Sequence, residues 1–228
     1  MSSSTTPAGM VDAEEVANSK IWEVLERDTE MTSEPRSNQE ALVLADLAVI
    51  GYPAPSLSDL AQSGLRYRDA IPILLHWLKV VDDRSVKEWI IRSMSVSWAR
   101  PEPIEPLIEE FKRLPGDSTL GWVVGNALDV LWDDDYYDSL ASLAADRRYG
   151  TAREMIVHGL GRSKRPEAVD VLLDLINDPD VDGHATASLR RLRTPRARKA
   201  FEAKLADKRA WVRAEAREGL AYLDKKGT

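Results

Sequence analysis

From residue 68 onward the apolar positions recur at helical spacing, in blocks that come in pairs separated by turn chemistry. Within Arg165–Thr194, Val169, Val171, Leu172, Leu175 and Ile176 fall at helical intervals. Pro166 suits the opening of that helix, because its missing N–H would be unpaired there anyway. Asn177-Asp178-Pro179-Asp180 is turn chemistry, and a second helix is predicted over Val181–Leu192. A hairpin of about 30 residues is too short to bury its own apolar face, so the pattern calls for copies on either side.

The copies are present. Read from one apolar start, second helices begin at Val86, Leu120, Ala152, Val181 and Val212, in steps of 34, 32, 29 and 31 residues. Four places on stand Ile90, Val124, Ile156, Ala185 and Ala216. Seven on stand the small residues Ser93, Ala127, Gly159, Ser188 and Gly219, and eight on stand Met94, Leu128, Leu160, Leu189 and Leu220. Small side chains at one register let a neighbouring helix approach closely while the apolar ones fill the space between. The expected fold is all-α, a right-handed α-solenoid of stacked antiparallel helix pairs. Its five repeats would occupy about 68–100, 101–133, 134–164, 165–193 and 194–226, within 68–228.

Ahead of them, residues 1–10 are Ser/Thr-rich and expected to be disordered. Residues 11–67 read as N-terminal helices capping the solenoid. Val16, Ile21, Trp22 and Leu25 mark an amphipathic helix over Val11–Glu30, and residues 32–38 a loop. Asn38 is placed to cap a helix that Gly51 ends. Tyr52–Pro55 is forced extended by its prolines, and Ser56 or Ser58 caps a short helix through Gln62.

Composition narrows the chemistry. The chain has no cysteine, which excludes disulfides, thiolate catalysis and cysteine-based metal sites. No apolar run approaches the roughly 20 residues of a membrane span, and the opening MSSSTTPAG lacks the basic and apolar blocks of a secretory signal. The cytoplasm is the expected compartment. The net charge of −7 disfavours bulk attraction to nucleic acid, yet it conceals a split. Residues 1–146 hold 12 Lys/Arg against 26 Asp/Glu, and residues 147–228 hold 19 against 12. The split suits either two solvated surfaces of different sign or an electropositive C-terminal face that meets an acidic partner or a nucleic-acid backbone.

Val212-Arg213-Ala214-Glu215-Ala216-Arg217-Glu218-Gly219-Leu220 is similar to the D-P-x-x-x-V-R-x-x-A-x-x-A-L core of short bacterial HEAT-like repeats. Ala152-Arg153 through Gly159-Leu160 and the Asp178-Pro179 turn fit the same core. The chain thus resembles the HEAT-repeat family, including its bilin-lyase-type members, over roughly residues 68–224. Gly121 and Gly183 depart from the pattern, each costing a second helix up to about 1 kcal/mol against alanine. The resemblance implies fold more than function, since such folds carry many jobs.

On each second helix, positions 0, 4, 7, 8 and 11 cluster on one side and positions 2, 5, 6 and 9 face away. In HEAT-like arrays the second helices line the concave surface, so the latter set would form a groove stripe: Glu88, Ile91, Arg92, Trp122, Asn126, Asp129, Glu154, Val157, His158, Thr186, Arg190, Arg217 and Glu218. Its expected centre is Trp122, Asn126, Asp129, Glu154, His158, Glu88 and Arg92, with Arg153, Arg190, Arg213 and Arg217 as basic contacts. Arg153 and Arg213 follow the repeat starts and could equally tie neighbouring repeats together through acids in the preceding turns. Glu88 and Arg92 also suit a plain surface helix pair.

These features point to a non-catalytic adaptor that docks a protein or peptide partner, with no cofactor. Two alternatives are weighed. HEAT-like alkylpurine DNA glycosylases use tryptophans and an aspartate in a basic groove, a role open to Trp122, Asp129 and Trp132, but Asp133–Asp135 would repel phosphates. A metal-dependent or lyase-type enzyme is the other. Glu154 and His158, four apart, make two ligands at most, and the three histidines include none of the His-Glu dipeptides of the di-iron hydroxylases. Asp133–Asp135 suits the cap of a helix near Tyr136 better than a calcium loop.

Overall fold

The structure, a computed structural model, describes residues 38–116 and 118–227. The expected tail over 1–10, the helix over Val11–Glu30, the following loop and Trp22 lie outside the described residues. Among those described there is helix and no strand, as expected for the all-α class. The chain divides into two compact units, up to Ser93 and from Met94.

In the first unit, α1 (Gln39–Val49), α2 (Leu57–Gln62), α3 (Ile71–Val80) and the body of α4 (Arg84–Met94) follow in order. Helix α1 packs on α3, and Trp77 Nε1 donates to Asp46 across that contact at 3.1 Å. Asn38 stands at the N-cap of α1 without a side-chain capping bond. Gly51 leaves the helix at φ +95°, a conformation that favours glycine. Ser56, rather than Ser58, caps α2 by accepting from Asp59 N at 3.0 Å. Asp83 closes the first turn of α4, taking the N–H groups of Ser85 and Val86.

The second unit is a stack of helix pairs. Helices α5 (Ile104–Arg113) and α6 (Thr119–Val130) pair, then α7 (Tyr137–Ala145) and α8 (Glu154–Leu160), α9 (Glu167–Leu175) and α10 (Asp182–Leu192), α11 (Arg198–Lys204) and α12 (Ala210–Lys226). Each second helix also packs on the next, α6 on α8, α8 on α10 and α10 on α12. The repeat register explains this. Every residue at positions 0, 4 and 7 is buried, and so is every one at position 8 except the half-buried Leu220.

The glycines that weaken these helices are close-approach points. A Cβ on Gly159 would stand 2.4 Å from the Trp132 ring, one on Gly219 2.6 Å from Phe201, and one on Gly183 2.4 Å from Trp211. Gly121 likewise faces Ala152 of the following repeat at 3.1 Å. The helix propensity lost at Gly121 and Gly183 is therefore exchanged for contact between repeats.

Candidate groove and the ties between repeats

The inner second helices α8 and α10 each touch their own first helix, the second helix before and the second helix after. Their buried arc is accordingly wider than that of a helix in a simple pair. Position 7 faces backwards: Ser188 Oγ donates to Val157 O at 2.9 Å and lies near His158 O at 3.2 Å. Positions 1, 5 and 9 face forwards. Gly125, at position 5, abuts Ala152 O and Ile156, and Gly161, at position 9, abuts Ser188.

This corrects part of the expected stripe. Ile91, Val157 and Thr186, all at position 5, are buried. Only Arg217, at position 5 of the last repeat, is exposed, because no described repeat follows to cover it. Asp129, at position 9, is buried too. Its Oδ2 lies 3.2 Å from His158 Nδ1 and 3.2 Å from Arg162 Nη2. Its Oδ1 lies 3.1 Å from Arg162 Nε but off the N–H direction, so that oxygen has no well-aligned donor. Asp129 is thus enclosed beneath His158 and Arg162 rather than open to a partner. At the same places one interface further on, Arg190 joins Glu218, at 3.2 Å, and also Glu215.

Arg153, expected among the basic contacts, is wholly buried. It donates to Ala144 O at 3.0 Å and Gly150 O at 2.9 Å in its own repeat, and to Asp178 Oδ2 at 3.0 Å in the next. The acid comes from the following turn, not the preceding one, and the residue is a tie closed to any partner. Arg213, its counterpart in the last repeat, is half-buried and bonds the Asp207 and Lys208 carbonyls at 2.7 and 2.9 Å.

Positions 2 and 6 of successive repeats are what remains open. Trp122 is 37% exposed, and Asn126, Glu154 and His158 are half-buried. Burial raises the Glu154 carboxyl above its ordinary value, while the nearby Trp122 indole N–H and the charge of Arg209 pull the other way. Trp122 and Glu154 occupy position 2 of adjoining repeats. Glu88 and Arg92, in the first unit, are bonded to each other at 2.7 Å as a helix i, i+4 pair.

The glycosylase-like constellation is not assembled. Trp132 is buried, its ring against Gly159 and its Nε1 donating to Asp134 at 3.1 Å, and Asp129 is enclosed as described. Asp134 also takes Ser163 Oγ at 2.7 Å and Lys164 N at 2.8 Å, and these bonds hold its pKa below the ordinary value against the opposing effect of burial. Asp133 caps the turn before α7 by accepting from Asp135 N at 3.0 Å. Among the described residues no three His, Cys, Asp or Glu side chains gather as a metal site would need.

Sequence reasoning passed over Arg162, Arg191, Arg193, Tyr222 and Lys225. Arg162 and Arg191 stand at position 10, just past or within the C-terminal ends of their second helices, and that spacing is visible in the repeat register. Arg193 leaves α10 at φ +56°, ψ +34° with its guanidinium 4.8 Å from the Tyr222 ring centre. No pattern signals a non-glycine residue there.

Residues 127–221 match the family model of HEAT repeats. No curated protein matches the chain.

Proposed function

Starting from residues 127–221 as HEAT repeats, we propose that the chain is a non-catalytic adaptor that docks a protein or peptide segment along the open positions of its second helices. HEAT repeats are often protein-interaction scaffolds, and stacked repeats make extended binding surfaces. The observation that carries the proposal is the run of open side chains at the same two places in successive repeats, Trp122 and Glu154 at position 2 and Asn126 and His158 at position 6. A partly exposed tryptophan is the residue type that most often dominates a binding surface. His158 is held from below by Asp129, so little side-chain ordering opposes association. No helix among the described residues is long and apolar enough to cross a membrane.

Quantitative affinity capture tests the proposal, comparing the full chain with a Trp122→Ala, Asn126→Ala variant of unchanged helical signal. Partners recovered by the parent chain and lost from the variant support the groove. A variant that retains every partner refutes it.

A further inference from the structure

We infer that the C-terminal part of the groove receives an acidic peptide segment, an inference that rests on the peptide-binding role proposed above. Two depressions of about 340 and 300 Å³ adjoin between α10 and α12 and share Arg190 and Arg193 in their walls. Arg191 and Lys225 add two more cations, against Glu215 and Glu218. Both glutamates are joined to the one Arg190. The other three cations therefore exceed the remaining acid charge.

Part of this has a plainer cause, since cations at a helix C-terminus offset its partial negative charge. That accounts for Arg190 and Arg191 on α10. Arg193, the C-cap of α10, and Lys225, in the last turn of α12, sit at helix ends too, but that charge alone does not require Arg193 to reach across to Tyr222 of the next repeat from a left-handed backbone that L side chains rarely adopt. A guanidinium stacked on a ring keeps its edge N–H groups directed outward, the geometry that suits a carboxylate. Arg191 is exposed and makes no ion pair among the described residues.

The two glutamates favour a peptide over a phosphodiester. A nucleic-acid backbone carries charge at every step and would meet Glu215 and Glu218 as well as the arginines. A peptide can set its carboxylates at Arg191, Arg193 and Lys225 and neutral residues elsewhere.

The test is selection from a random library of peptides of about twelve residues on the full chain, with a labelled single-stranded oligonucleotide assayed in parallel. Enriched peptides are expected to carry Asp or Glu and to lose about tenfold or more in affinity on Arg191→Glu, and likewise on Arg193→Gly, which keeps the left-handed backbone. Thermal melting checks that both variants fold. Enriched peptides without acids, bound equally by parent and variants, overturn the acidic assignment and leave the peptide-binding role standing. Failure to enrich any peptide overturns that role as well. An oligonucleotide bound as tightly as the acidic peptides, and weakened by the same substitutions, overturns the choice of peptide.

Discussion

Arg153 and Asp178 meet at 3.0 Å with side chains 0% and 2% exposed, one at position 1 of its repeat and the other three places before the next start. The same two places at the following interface hold Asp182 and Arg209, 2.7 Å apart, with the charges exchanged. A stack displaced by one repeat would set Arg153 against Arg209. The polarity thus opposes misregistered stacking as well as joining neighbours.

Removing the Asp178 charge leaves the buried Arg153 guanidinium with two carbonyls and only the longer contact to Asp180, at 3.5 Å. Asp178→Asn is expected to lower unfolding stability by about 3–5 kcal/mol. Asp182→Asn, in a network partly open to solvent, should cost less, about 1–3 kcal/mol. Urea denaturation distinguishes the two, and a loss below about 1 kcal/mol for Asp178→Asn would contradict the role given to this pair.

Close approach at position 7 makes a separate claim. Gly159→Ala drives a methyl into the Trp132 ring and should destabilise by about 1–3 kcal/mol, although alanine is the better helix former. A variant as stable as the parent would mean the ring yields freely.

The two tryptophans Trp122 and Trp132 should separate binding from folding. Trp132→Ala empties a buried site and is expected to cost about 3–5 kcal/mol. Trp122→Ala should cost under about 1 kcal/mol, yet weaken a captured partner about tenfold or more. Melting curves and titration on the same variants check both.

His184 titrates at about 4, chiefly because burial penalises its charged form, with His158 and Arg209 adding repulsion. It lies against the Trp211 ring, centroids 5.4 Å apart. In the unfolded chain it protonates near 6.5, so between about pH 6.5 and 4 the unfolded state binds the extra proton and stability falls as pH falls. The contribution is at most about 3 kcal/mol and smaller where solvent screens it. The lowered pKa of Asp182 acts further down, since its contribution is present above the ordinary carboxylate range and lost in acid. The raised pKa of Glu154 acts with opposite sign near pH 4.5 and above. Comparing the parent with His184→Gln across pH 7 to 4 isolates the histidine, and parallel curves would exclude it.

Arg193→Gly relieves a left-handed residue at the end of α10. A gain of about 0.5–1 kcal/mol is expected, reduced by the lost stacking on Tyr222. Chemical denaturation measures it, and a loss of stability would show that the stacking outweighs the backbone strain.

The helix pairs and their buried positions 0, 4, 7 and 8 follow from the sequence alone, because a repeated face must bury the same places in every copy. Helical angles also suffice to put Trp122, Asn126, Glu154 and His158 at open positions. The fate of positions 5 and 9 depends on which side of the helix the next repeat lies. That is a property of the stack, so Val157, Thr186 and Asp129 appeared free when read one helix at a time. Arg153 could be read as contact or tie until the following turn brought Asp178 to it from 25 residues away. Periodicity within one helix says how wide an arc its own partner covers, and only the assembled neighbours decide how much of the remainder still meets water.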